Sequence, residues 1–64
     1  MENKMVEALN RTIKTYKTLY NNKSFRAADE VFNQFMAQAK LVSEVTGKVI
    51  ELEETEDGYT AVLK

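Results

Sequence analysis

Apolar residues recur at alternating steps of three and four residues in the middle of the chain. The series is Phe25, Ala28, Phe32, Phe35, Ala39 and Val42. This heptad spacing predicts a helix that packs lengthwise against another helix. Three more apolar residues, Val31, Met36 and Leu41, form a second row beside the series. A short chain has little else to cover both rows, so the pattern favours packing against a second copy or a partner.

Two helices are expected over residues 3–21 and 24–46. In the first, Met5, Leu9, Ile13, Tyr16 and Tyr20 share one face at steps of three and four. Asn21 and Asn22 suit the turn after this helix, because asparagine tolerates the left-handed conformation. Ser24 is the expected N-cap of the second helix, and Gly47 is the expected left-handed residue that ends it. The short loop predicts an antiparallel helical hairpin.

Residues 48–64 change to the alternating pattern of β-strands, around an Asp57-Gly58 turn signal. A two-residue turn would pair Leu52 with Leu63, and a four-residue turn would pair Leu52 with Ala61. A three-residue turn would set Leu63 against Glu51 and mix the faces, so it is excluded. Both allowed registers place the same apolar residues on one face, namely Ile50, Leu52, Tyr59, Ala61 and Leu63.

The expected fold is therefore α+β, one domain over residues 1–64. An antiparallel helical hairpin is followed by a C-terminal two-stranded β-hairpin, in the order α-α-β-β. A hairpin is unstable alone, so its apolar face must lie on the helices. Chains this small often need disulfides, a metal or oligomerisation. The sequence has no Cys and no His, so a homo-oligomer, with a dimer favoured, is the expected support.

The same absences argue against catalysis. Without His or Cys, the commonest general base and the thiol nucleophile are missing. The only glycines are Gly47 and Gly58, so there is no glycine-rich phosphate loop. We expect no enzyme activity, no catalytic residues, no metal site and no cofactor. The lack of a signal-like N-terminus or a long apolar run predicts a cytoplasmic protein with no membrane association.

Charge is divided unevenly along the chain. Residues 1–26 hold six basic residues against two acidic ones, whereas residues 27–64 hold three basic residues against eight acidic ones. A basic stripe with aromatic residues can track phosphates and stack bases. That alternative uses Arg11, Lys14, Lys17, Lys23 and Arg26, although the overall acidity of the chain disfavours a dedicated nucleic-acid binder.

The leading hypothesis is a small interaction protein that self-associates and binds, regulates or inhibits a larger macromolecule through a protein partner. The residues expected at the self-contact are Phe25, Ala28, Phe32, Phe35, Met36, Ala39 and Val42. The residues expected at an outward contact are the hairpin acids Glu51, Glu53, Glu54, Glu56 and Asp57, which could meet a basic surface or add a strand to a sheet. The alternative is a nucleic-acid-binding accessory protein that uses the basic residues of the first helix and the loop.

Overall fold

A computed structural model of the chain describes residues 2–56 and 58–64. The element order is α1 (Glu2–Asn21), α2 (Phe25–Thr46), β1 (Ile50–Thr55) and β2 (Gly58–Leu63). The predicted α-α-β-β architecture is confirmed, and both helices agree with their predicted limits to within one residue. The two strands form an antiparallel hairpin, and β2 packs along α1. The fold is thus a layer of two helices covered on one side by a two-stranded sheet.

The turn between the helices uses a residue that the sequence did not indicate. The left-handed residue is Lys23, with φ of 63°, and neither Asn21 nor Asn22 has a positive φ. The amide of Ser24 donates to the carbonyl of Leu19 at 2.9 Å, and the amide of Lys23 donates to Tyr20 at 3.0 Å. These two bonds form a Schellman motif, in which the left-handed position follows the helix end whatever residue stands there.

The ends of α2 differ in how well they follow the sequence. Ser24 precedes the helix, but its side chain makes no capping hydrogen bond, and so the predicted hydroxyl cap is wrong. Its carbonyl accepts the first helical bond from Ala28 at 2.9 Å. At the other end the prediction is confirmed. Gly47 is left-handed with φ of 70°, and its amide donates to Ser43 at 2.8 Å.

The register of the hairpin pairs Leu52 with Ala61 and Ile50 with Leu63. This is the second of the two predicted registers, and the excluded pairing of Leu63 with Glu51 does not occur. Thr55 pairs with Gly58, so Gly58 belongs to β2 rather than to the connection. Directly paired residues share a face, which confirms that the predicted apolar residues lie together. Asp57 lies outside the described residues.

The core forms where the two helices and the sheet meet. Its buried members are Leu9 and Ile13 of α1, Phe35 and Val42 of α2, and Ala61 of β2. Tyr16, Phe32, Ala39, Ile50 and Leu63 pack around them and are partly buried. The core therefore joins all four elements, as a chain of this length requires. The heptad face of α2 is used within the chain, against α1.

Candidate interaction surface

The residues predicted for self-contact lie in two environments. Ala28, Phe35 and Val42 are buried inside the chain, and Phe32 and Ala39 are half-buried beside them. Phe25 and Met36 remain exposed, at 52% and 54% of their full surface. In this fold, the buried members have no surface to offer a second chain. A contact between copies would have to use the exposed apolar residues.

The second apolar row does not exist as one face. Val31, Met36 and Leu41 are five residues apart, and each such step turns an α-helix by about 140°. Met36 lines a groove next to the sheet, whereas Leu41 lines a depression between the helices on the opposite side. Val31 is half-buried. The predicted second row is therefore wrong, because residues five apart do not lie next to each other on an α-helix.

Leu41 and Val45 form an exposed apolar pair on the side of α2 that faces away from the sheet. They are one helical turn apart and therefore adjacent, and they are 61% and 62% exposed. Leu41 also borders a shallow cavity of about 170 Å³ between the helices, with Met5 and Ala8 on its other side. Val45 was not among the predicted contact residues, although its four-residue spacing from Leu41 indicates a shared helix face. We refer to Leu41 and Val45 as the back patch.

A second apolar surface lies between α2 and the start of β1. Met36 and Ala39 line one wall of an open groove of about 580 Å³, and Val49 and Ile50 line the other. Val49 is 61% exposed. The side chain of Leu52, two residues after Ile50, points to the helix side of the sheet but is still 40% exposed. We call this surface the α2–β1 groove. It exists because β1 meets α2 only near Ile50, and the rest of β1 is exposed.

The middle of the outer edge of β2 is paired with a side chain of α1. The amide of Ala61 donates to Oδ1 of Asn10 at 2.6 Å, and Nδ2 of Asn10 donates back to the carbonyl of Ala61 at 3.4 Å. Ala61 is 1% exposed, so water has little access to these backbone groups. Asn10 therefore makes, at Ala61 alone, the two bonds that a neighbouring strand would make. Sequence reasoning missed Asn10, since only the tertiary structure brings it to residue 61.

The outer edge of β1 is open. The amide of Ala61 points away from β1. The backbone amide and carbonyl of its partner Leu52 must therefore point away from β2. The same alternation turns the amides and carbonyls of Ile50 and Glu54 outward. The Lys64 amide donates to the Val49 carbonyl at 2.8 Å, so the carbonyl of Val49 points toward β2. This agrees with outward-pointing groups at the next residue, Ile50. Within residues 2–56 and 58–64, no backbone or side-chain group pairs with this edge.

The acidic hairpin residues lie on both faces of the sheet. Glu51 and Glu53 are on the solvent face, opposite Val62 and Thr60, whereas Glu54 is on the helix side, opposite Tyr59. Glu56 is exposed in the turn. Nζ of Lys64 lies 3.8 Å from Glu51, an exposed pair that contributes little to stability. Among the hairpin acids that the structure describes, Glu51 and Glu53 alone share one exposed acidic surface, which flanks the open edge of β1.

The basic residues divide into separate groups. Lys14 and Lys17 border a depression with Asn10 and Tyr59 at the sheet, whereas Lys23 and Arg26 lie at the far end of the helical hairpin. Arg11 lies beside Lys14 and Thr15 on an exposed part of α1. None of the five forms an ion pair with another described residue. They do not form a single continuous stripe.

The aromatic residues near these basic groups pack mainly against one another. The ring centroid of Tyr16 lies 5.3 Å from that of Phe32 and 6.0 Å from that of Tyr20. Tyr20 in turn lies 5.3 Å from Phe25 in an edge-to-face arrangement. Such pairs stabilise the loop end of the hairpin. Tyr16 is therefore a packing residue, and Tyr20, which is 49% exposed, keeps one side open to solvent.

Comparisons with protein-family models, with curated proteins and with solved structures found no match for this chain. Neither described helix has a segment apolar and long enough to cross a lipid bilayer. Across residues 2–56 and 58–64, no group of three or more acidic side chains is placed to hold a metal ion.

Proposed function

We propose that this chain is a small non-enzymatic interaction protein that self-associates and binds, and thereby regulates, a larger macromolecule. The observation that carries the proposal is the amount of surface the chain leaves exposed. Its accessible surface is 4866 Å². A compact monomer of 7.4 kDa is expected to expose about 4200 Å². The chain thus exposes more surface than a compact monomer of its mass, so surface remains that a partner can cover.

The exposed surface is apolar in three places, namely the Tyr20–Phe25 pair, the back patch and the α2–β1 groove, and the last two support the two parts of the proposal. The back patch supplies Leu41 and Val45, and the α2–β1 groove supplies Met36, Val49 and Leu52. Isolated exposed apolar residues are normal, but adjoining ones mark contacts. We assign the back patch to self-association, since the small cavity next to it can receive the same patch of a second copy across a two-fold axis. We assign the α2–β1 groove and β1 to the contact with the larger macromolecule.

The test of self-association is the solution mass of the purified chain over a dilution series, measured by light scattering. The wild type should be a dimer that dissociates on dilution. Leu41→Lys removes an apolar contact from each half of a two-fold interface. It should cost about 2–4 kcal/mol of dimer stability. The dissociation constant should therefore be roughly 30- to 700-fold larger.

Asn33→Lys is the matched control, because it adds the same charge at an exposed position of the same helix. It should leave the dissociation constant unchanged. A wild type that remains a folded monomer at the highest concentrations would contradict self-association. A dimer that Leu41→Lys leaves intact would contradict the choice of the back patch.

Nucleic-acid binding is the second candidate function, and one observation favours it. Lys14 and Lys17 lie together beside Tyr59 with no ion pair to another described residue. Such cations can bind phosphates, and binding should then weaken steeply with salt. A fluorescence titration with single-stranded oligonucleotides at low and physiological salt tests this. Lys14→Glu should abolish binding, whereas Lys40→Glu on α2 should preserve it. No binding at low salt would remove this candidate.

A further inference from the structure

We propose that the open edge of β1 receives an extended strand of a partner protein, and that this strand alternates apolar and basic residues. The inference deepens the proposed function and rests on it, because it names the kind of partner that the chain binds. It combines three observations: an unpaired strand edge, an apolar groove beside that edge, and two glutamates on the other side of it.

The backbone of β1 offers a template for one more strand. The amides and carbonyls of Ile50, Leu52 and Glu54 point away from β2, and no described residue pairs with them. On β2 the corresponding edge is blocked at its middle, because Asn10 bonds to both backbone groups of Ala61. The chain thus covers part of one sheet edge and leaves the other available. An exposed edge of this kind commonly pairs with an extended segment of another chain.

The two faces of the sheet dictate the side chains of the incoming strand. On the helix side, its residues opposite Ile50 and Leu52 would lie against apolar groups and continue into the α2–β1 groove next to Met36. On the solvent side, its residues would lie opposite Glu51 and Glu53. Apolar side chains suit the first face and lysine or arginine suits the second, since opposite charges across strands stabilise pairing. Successive residues alternate between faces, so the matching segment alternates apolar and basic residues.

A second copy of β1 fits this edge poorly. Two antiparallel β1 strands related by an axis at Leu52 would set each Glu51 opposite a Glu53. Moving the axis to Glu51, Glu53 or Glu54 would set that glutamate opposite its own copy. Like charges directly opposite each other destabilise a strand pair. An axis at Ile50 avoids such a pair, but it overlaps only the first three residues of β1 with residues 48–50 of the copy. The glutamates therefore disfavour self-pairing along most of this edge and favour a basic partner.

The experiment uses the full chain and three labelled eight-residue peptides, with binding followed by fluorescence anisotropy. The first peptide alternates Val and Lys. The second has the same composition in a Val-Val-Lys-Lys repeat, which breaks the two-residue period. The third alternates Val and Glu. The proposal expects the first peptide to bind at least tenfold more tightly than either of the others.

Variants of β1 test the backbone contribution. Glu54→Pro removes an outward amide without removing a bond between β1 and β2, so the hairpin should remain folded. Glu54→Ala is the control, because it loses the same carboxylate and keeps the amide. Binding of the alternating peptide should weaken at least tenfold in Glu54→Pro relative to Glu54→Ala. Circular dichroism of both variants checks that the fold is retained.

A charge reversal tests the electrostatic part. Glu53→Lys should weaken binding of the Val-Lys peptide and strengthen binding of the Val-Glu peptide. Glu44→Lys makes the same change at an exposed position of α2 and should alter neither. Equal binding of the two Val-Lys peptides would overturn the proposal, since it would mean simple charge attraction. Equal binding to folded Glu54→Pro and Glu54→Ala would also overturn it.

The solution mass separates this proposal from the self-association proposed above. If Glu54→Pro, and not Glu54→Ala, converts a dimer to a monomer, a second copy occupies the edge, and the basic partner is the wrong occupant. If Leu41→Lys yields a monomer that still binds the alternating peptide, both proposals are supported and use separate surfaces. If the chain is a monomer throughout, the peptide titration still decides the role of β1.

Discussion

Replacing Asn10 with alanine tests the most specific link between the helices and the sheet. The side chain of Asn10 accepts a 2.6 Å hydrogen bond from the amide of Ala61 and donates a 3.4 Å bond to its carbonyl. Asn10→Ala would leave both groups of a residue that is 1% exposed without these partners. The longer bond is weak, so most of the effect comes from the amide.

A buried amide that loses its acceptor costs about 1–3 kcal/mol. Alanine is also a better helix former than asparagine, and this offsets the lost stability by roughly 0.5 kcal/mol. The net loss should be about 0.5–2.5 kcal/mol. A domain of this size has roughly 3–5 kcal/mol of stability from its core, so the variant should melt roughly 2–20 °C lower than the wild type.

Thermal unfolding followed by circular dichroism measures this difference. Asn33→Ala is the matched control, since Asn33 is exposed in the middle of α2 and gains the same helix propensity. Hydrogen exchange of the Ala61 amide provides a local readout and should become faster in Asn10→Ala alone. Equal melting temperatures for the two variants, together with a still-protected Ala61 amide, would refute the role assigned to Asn10.

Other substitutions test the core and the two special backbone positions. Phe35→Ala should cost about 3–5 kcal/mol and unfold most of the protein, whereas Phe25→Ala, at a half-exposed site, should cost less than half as much in chemical denaturation. Lys23→Gly should raise the stability by about 1 kcal/mol, because Lys23 has a left-handed φ of 63°; an unchanged melting temperature would contradict this. Gly58→Ala should lower the melting temperature, because Gly58 has φ of 136° and a Cβ there would lie 3.1 Å from the Lys17 side chain. A Gly58→Ala variant as stable as the wild type would exclude this strain.

The architecture could be predicted because it depends on local periodicity. The spacing of Leu9, Ile13 and Tyr16 defines one helix face, and the alternation around Ala61 defines one sheet face. Gly47 ended α2 as expected, since glycine alone takes the left-handed cap without steric cost. These signals need no knowledge of distant residues. They were sufficient for the order α-α-β-β and for most of the core.

The surfaces could not be predicted to the same extent, because exposure depends on how far each element covers its neighbour. The spacing of Phe35 and Val42 is the same whether the covering helix belongs to the same chain or to another. Only the packed structure shows that α1 covers them and that Leu41 and Val45 remain exposed. The heptad pattern thus predicted correctly which face of α2 packs against a helix. It did not show that this helix belongs to the same chain.

The sequence by itself determined the secondary structure, the apolar faces and the lack of His and Cys. Tertiary structure decided which strand edge is blocked at its middle, because Asn10 and Ala61 are 51 residues apart and meet only after the sheet docks on α1. It also decided that β1 keeps an open edge beside an apolar groove and Glu53. Edges and grooves arise from the relative placement of elements, and no local pattern of residues encodes that placement.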